Sequence, residues 1–157
     1  MNHEQKIERF AERELERNID KIIIDDQHGG YVAFGRYYIV QKSNRFSVET
    51  WDREIHLFAS KRAAISWCTA DKVNNLNLAN QILTLDRKQQ ALDADISVRR
   101  GLASRSRKDD FAEIVNTKIQ PKLIQQRIVS AELEKCISSA KYIQIRGFNN
   151  ETARIHG

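Results

Sequence analysis

Between Leu76 and Arg146 the apolar residues keep one rhythm, and that rhythm restricts this chain more than any other feature. Leu78, Ile82, Leu85, Leu92 and Ile96 follow one another at spacings of four, three, seven and four. Residues so spaced share one stripe of an α-helix, here a heptad seam with Gln89 as its polar position. The pattern returns through Val115, Ile119, Val129, Leu133, Cys136, Ala140 and Ile143, with Lys122 and Gln126 interrupting it. Two such arms joined by a short polar segment predict a long antiparallel, coiled-coil-like helical hairpin. Each arm of about 25 residues would run roughly 37 Å at the α-helical rise.

The joining segment is cationic. Arg99, Arg100, Arg105, Arg107 and Lys108 fall within ten residues, with Ser104 and Ser106 interleaved. Guanidinium forks suit phosphate oxygens and hydroxyls add donors, so these five residues form a candidate nucleic-acid contact. Solubilising charge on a long hairpin accounts for the same residues, and Asp109 and Asp110 blunt the patch. The same two acids are candidate N-caps for the second arm. Pro121, the chain's one proline, predicts a break or kink near Gln120, giving segments over 110–119 and 121–145 or one bent helix. Ile124, Ile128 and Ile137 fall off the narrow seam and widen the apolar face. A two-helix hairpin alone does not cover such a face, so these three are candidate interface residues, covered either by the helix of residues 3–18 or by a second copy of the chain.

The front half reads differently. Residues 3–18 predict an amphipathic helix with Ile7, Phe10, Ala11 and Leu15 on one face. Ile22-Ile23-Ile24 is a short buried run, either a strand or a last helical turn. Asp25-Asp26-Gln27-His28-Gly29-Gly30 reads as a turn. Its two carboxylates, imidazole and flexible backbone could describe a metal or phosphate site, or a hydrolase using Asp25 to His28, but the fixed glycine pattern running into a helix that a phosphate loop needs is missing here. Residues 31–58 predict an antiparallel meander, taken as three-stranded, with a bend or bulge at Gly35 and a two-residue turn at Ser43-Asn44. Ser60 is a natural N-cap for a helix over 61–71 that buries Ala64, Ile65 and Cys68 with Trp67 at its flank. The predicted fold is α+β: a small antiparallel β-meander with flanking helices over 1–73, a helical hairpin over 74–148, and a polar tail over 149–157, with Gly147 as the hairpin's left-handed C-terminal cap.

Composition bounds the function. A chain of 157 residues with 41% hydrophobic and 30% charged residues makes a globular unit with much exposed helix face. Its net charge of +5 is compatible with a polyanion partner without requiring one. Cys68 and Cys136 read as free, buried thiols in a reducing cytoplasm. His3, His28, His56 and His156 stand at no ligand spacing, so no metal and no cofactor is expected. No secretory leader is expected, nor any run long enough for a membrane span. Tyr31, Phe34, Tyr37, Tyr38, Phe46 and Trp51 with Arg36, Lys42, Arg45 and Arg53 could form a base-stacking sheet, although a sheet needs core aromatics in any case. No nucleophile, zinc-helix or kinase-type motif is present. Asp25, Asp26, Glu49, Asp52 and Glu54 lack a lysine at nuclease spacing, so no enzymatic activity is expected.

One stretch carries a resemblance. Ala140-Lys141-Tyr142-Ile143-Gln144-Ile145-Arg146-Gly147-Phe148-Asn149-Asn150-Glu151-Thr152-Ala153-Arg154, with the start of the helix in 58–68, resembles small uncharacterised proteins of T4-like tailed phages of marine bacteria. The resemblance implies a phage accessory or virion-associated role in the host cytoplasm and carries no site residues.

These readings converge on a non-enzymatic interaction or assembly protein that uses the hairpin's apolar face to oligomerise or dock on another protein. The other expectation is an accessory protein that contacts nucleic-acid phosphates through the basic tip.

Overall fold

The computed structural model describes residues 22–25 and 29–146. Five strands run in sequence order as one antiparallel meander: β1 (Ile22–Asp25), β2 (Gly30–Ala33), β3 (Tyr37–Lys42), β4 (Arg45–Glu49) and β5 (Ile55–Phe58). Four helical segments follow: α1 (Lys61–Lys72), α2 (Leu76–Ser104), α3 (Lys108–Ile114) and α4 (Gln120–Arg146), with a π-helical turn, Val115–Ile119, between α3 and α4. The α+β meander followed by a helical hairpin is the architecture the sequence predicts. The helix expected over 3–18, the residues Asp26 to His28 of the proposed hydrolase turn, and the Gly147 cap lie outside the described residues.

The sheet has five strands rather than three. Ile22–Asp25 is a strand, paired Ile22↔Ala33 through Asp25↔Gly30, so the ambiguous isoleucine run resolves as β structure. Chain reversals set the register. Phe34 and Gly35 both have positive φ, 56° and 67°, and close the β2–β3 turn by way of Arg36 N–H to Ala33 C=O at 3.1 Å. Of the bend or bulge expected at Gly35, the structure has the bend: it is the β2–β3 turn itself. Ser43, at φ 56°, and Asn44 form the two-residue β3–β4 loop expected of them, opposite the Lys42↔Arg45 pair. A positive φ at the first loop residue gives the twist that two paired strands need. Gly30 is required by crowding: a Cβ there would lie 2.6 Å from the Ile39 carbonyl oxygen.

Alternation along the strands sends Ala33, Tyr37, Ile39, Val48 and Phe58 to the face that carries the helices. Val32, Tyr38 and Val40 form a second, smaller cluster. On the helical side α1 lies between the sheet and the hairpin and is buried on almost every side, so Trp67 is core (5% exposed) rather than flank. Its small residues Ala63, Ala64, Cys68 and Ala70 admit neighbours on both sides. Trp67 meets Tyr37 in a T-shaped pair at a centroid distance of 5.9 Å and a tilted His56 ring at 4.6 Å.

Capping explains where α1 ends and α2 begins. Ser60 Oγ accepts the Ala63 N–H at 3.1 Å, as predicted. At the other end Asn74 takes φ 59°, Asn74 N–H reaches the Asp71 carbonyl at 3.0 Å, and Asn75 N–H reaches the Ala70 carbonyl at 2.9 Å. This pair of bonds is the Schellman closure. Asn75 Oδ1 then accepts the Leu78 N–H at 3.1 Å and starts α2. Two asparagines thus stop one helix and launch the next, turning the chain onto the hairpin.

The hairpin base belongs to the main core. Leu78, Ala79 and Ile82 of α2, with Leu133, Cys136, Ile137, Ala140 and Ile143 of α4, pack with the sheet and α1 in one cluster. Thr69 Oγ1 accepts from Gln144 Nε2 at 2.7 Å, and Arg62 makes a bidentate pair with Glu134 at 3.0 and 2.9 Å, tying α1 to α4. Beyond Asp86 the only buried apolar residues among those described are the ones in the seam between the two arms, Leu92, Ile96, Ala103, Ile119 and Val129. That distal half projects as a two-helix arm, about 27 Å long for the 18 residues between Asp86 and Ser104.

Pro121 does not break the second arm. Its ring would collide with the carbonyl four residues back in a regular helix. The turn ahead of it widens instead: Val115–Ile119 is π-helical, and Gln120 N–H bonds to the carbonyl of Val115, five residues back. The accommodated proline leaves α3, the π-turn and α4 as one continuous rod.

Candidate interaction surface on the helical arm

The tip is tighter than the sequence suggests. Arg99 and Arg100 lie within α2, which continues to Ser104, and Lys108 opens α3. The true loop is Arg105-Ser106-Arg107. Arg99 Nε donates to Asp95 Oδ1 at 3.0 Å, and Lys122 Nζ of the opposite arm stands 3.5 Å from Asp95 Oδ2, so Arg99 is spent inside the arm. Arg105 Nε donates to the Gly101 carbonyl at 3.1 Å. Arg100, Arg105, Arg107 and Lys108 are exposed and form no ion pair among the described residues. Asp109 and Asp110 do not cap α3; they lie in its first turn, where their charge favours the helix dipole.

The three candidate interface residues separate. Ile137 is 7% exposed and sits in the main core, so the third helix that covers it is α1 of the same chain. Ile124 and Ile128 are one turn apart on the side of α4 turned away from the seam, and are 54% and 55% exposed. The sequence reading missed three more. Val98 (62%) and Leu102 (55%) form a second pair one turn apart on α2, and Phe111 (49%) stands on α3. Their signal was present: Val98 and Leu102 lie four apart and off the heptad seam.

Charge concentrates in the same place. Residues 87–128 hold ten Lys and Arg against five Asp and Glu, a net +5 that equals the formal charge of the whole chain. The rest of the chain is therefore neutral as a whole, and the arm is the cationic part.

The sheet does not supply a base-stacking platform. Phe34, Tyr37 and Tyr38 are at most 2% exposed. Tyr31 is half-buried beneath Lys61 Nζ, 3.7 Å from the ring centroid. Only Trp51 of the six aromatics is exposed. It lines a cleft with Arg36, Tyr37, Asp52, Asp71 and Lys72. Tyr37 Oη donates to Asp71 Oδ2 at 2.5 Å, and burial pushes its ionisation well above the usual phenol range. Burial likewise pushes the Cys68 and Cys136 thiols up, away from thiolate chemistry. Among the described residues no group of three or more His, Cys, Asp and Glu gathers as a metal set, and no helix is long and apolar enough to cross a membrane.

One buried acid escaped the sequence reading. Asp86, 1% exposed, faces the β5–α1 connection. Its oxygens accept the Ala59 N–H at 3.3 and 3.2 Å, and Gln90 Nε2 donates to it at 2.6 Å. Its place four residues after the core residue Ile82 was the available signal.

Comparison with known proteins returns no matching family model, no matching curated protein and no matching solved structure.

Proposed function

We propose that this is a non-enzymatic docking protein, in which the sheet and α1 form a rigid base and the arm engages a partner protein with an acidic, amphipathic surface. The observation that carries this reading is the coincidence on one projecting element of five large apolar side chains, 49–62% exposed, with a net charge of +5. Exposed aliphatic and aromatic groups grouped on one protrusion mark interaction surfaces. Mutual repulsion of two such arms disfavours a second copy as the occupant, while an acidic amphipathic helix satisfies both the apolar pairs and the cations. The resemblance of 140–154 to small phage proteins supports an accessory or virion-associated setting.

The test is titration with a leucine- and glutamate-patterned helical peptide, followed by fluorescence anisotropy at several salt concentrations. Binding that weakens with salt and disappears in the Ile124→Asp/Ile128→Asp variant is expected. No binding at low salt, or binding indifferent to that variant, would remove this reading. Sedimentation showing a concentration-dependent dimer sensitive to Ile124→Asp would replace the acidic partner with a second copy.

The exposed, unpaired set Arg100, Arg105, Arg107 and Lys108 favours a second reading, a phosphate-contacting accessory protein. Four phosphate contacts on duplex DNA would give a log–log salt slope of about −3.6. A triple Arg105→Ser/Arg107→Ser/Lys108→Ser variant should flatten that slope. Salt-independent or undetectable binding to DNA and RNA would end it.

A further inference from the structure

The last strand of the meander is left open. β5 pairs only with β4 among the described residues, so its outer row of backbone N–H and C=O groups has no ladder partner. Such edges are usually guarded by charge or proline on the strand itself. Here the two side chains beside the edge are Ile55, 60% exposed, and Leu57, 44% exposed. They are two residues apart and therefore on one side of the strand.

The edge also has a second wall. α2 runs past it with Arg87, Gln90, Ala91 and Ala94 at helical spacing, and these residues enclose a groove of about 420 Å³ together with Ile55, Leu57 and Arg45 of β4. That volume lies within the roughly 300–1,000 Å³ range of binding clefts. The alanines keep the helical wall low and leave room for incoming side chains. Both charged residues lining the groove, Arg45 of β4 and Arg87 of α2, are arginines, no acid lines it, and neither arginine forms an ion pair among the described residues. Asp86, one residue before Arg87, is buried, accepts from Ala59 and Gln90, and feels the Arg45 charge without lining the groove. An open strand edge, an aliphatic floor and two exposed guanidiniums together specify the chemistry of an occupant.

We propose that an extended acidic segment of a partner protein adds as a sixth strand to the open edge of β5. Its alternate aliphatic side chains rest on Ile55, Leu57, Ala91 and Ala94, and its carboxylates meet Arg45 and Arg87. Main-chain hydrogen bonds supply the binding and the groove supplies the selection, as in other strand-addition complexes. Charge complementarity decides the occupant: a basic segment would face two arginines in a groove that no acid lines. This surface is separate from Ile124 and Ile128 and stands whether or not the tip of the arm has a partner.

The experiment is an amide NMR titration of the full chain with a blocked hexapeptide that alternates valine and glutamate, taken to millimolar concentration. The alternating valine–lysine peptide is the control. Saturable shifts at the amides of Ile55 to Phe58 and at Ala91 and Ala94 are expected with the acidic peptide and not with the basic one. The Arg45→Ser/Arg87→Ser variant changes only exposed side chains and should weaken binding about tenfold or more. Ile124→Asp/Ile128→Asp should leave it unchanged, so failure of the arm-docking reading and failure of this one are told apart. No shift at millimolar peptide, equal binding of the basic peptide, or shifts confined to the arm tip would overturn the proposal.

Discussion

Both carboxylate oxygens of Asp86 stand at hydrogen-bond distance from the Ala59 amide nitrogen, 3.3 and 3.2 Å away, across 27 residues of chain. Ala59 precedes the cap of α1, and Asp86 is the point where α2 leaves the core. One buried acid thus fastens the strand-to-helix connection to the root of the arm.

That clasp has a pH signature. Burial raises the Asp86 pKa above its ordinary 3.8, against the opposing pull of the Gln90 and Ala59 hydrogen bonds and the more distant Arg45 charge. A carboxyl whose pKa is raised on folding holds its proton more tightly in the native state, so its contribution to stability is complete below the unfolded value and is lost as pH rises through the folded one. The melting temperature of the native chain relative to Asp86→Asn should therefore increase as pH falls from neutral towards the ordinary carboxylate value of 3.8. A constant difference across that range would contradict the assignment.

Ile137 and the pair Ile124 and Ile128 provide a matched comparison. Ile137→Ala removes a buried side chain from the junction of α4 with α1 and should cost about 2–4 kcal/mol in denaturant unfolding. Ile124→Asp/Ile128→Asp should stay within about 0.5 kcal/mol of the native chain, because both positions face solvent. A large loss of stability from the second variant would mean that these residues are covered in the free protein.

Gly30 tests the sheet. Its Cβ would lie 2.6 Å from the backbone oxygen of Ile39 and 3.1 Å from Tyr38 Cζ. Backbone cannot yield as a flexible side chain does, so Gly30→Ala should destabilise by about 3 kcal/mol, read by thermal and urea unfolding. An Ala variant of native stability would show that β2 and β3 are less closely apposed.

Pro121 tests the π-turn. With the proline gone, the ring no longer obstructs the carbonyl of Thr117 and the turn is free to tighten. Pro121→Ala should gain about 1 kcal/mol or less, because the wide turn already relieves most of the clash. Carbon chemical shifts over 115–121 should move toward regular α-helix. Unchanged shifts there would place the cause of the π-turn in the seam rather than in the proline.

Much of this architecture was legible because it rests on periodicity. Leu78, Ile82, Leu92 and Ile96 announce α2, and Ser60 announces α1, through rules that act within a few residues. The misreadings arose where the deciding contact is remote. Ile137 looked surplus because α1 was not counted among its covers, whereas α1 supplies the third wall. The segment from Arg99 to Lys108 looked like the hairpin tip, yet α2 runs on through Gly101 to Ser104, because Leu102, Ala103 and the arginines are helix formers strong enough to carry one glycine for about 1 kcal/mol. The four-residue strand Ile22–Asp25 is too short for periodicity to separate strand from helix. Asp86 was invisible as a clasp because its partner is a backbone amide, which leaves no mark in a sequence.

The projecting arm also separates two electrical environments. At physiological ionic strength the field of a charge fades over about 8 Å, so an arm of about 27 Å is more than three screening lengths long. A molecule approaching the tip meets Arg100, Arg105, Arg107 and Lys108 with the acids of the sheet already screened away. Lowering the salt lengthens that reach until tip and base are sensed together. First encounters at the tip should therefore be governed by local rather than total charge, and editing the base should leave their rate untouched.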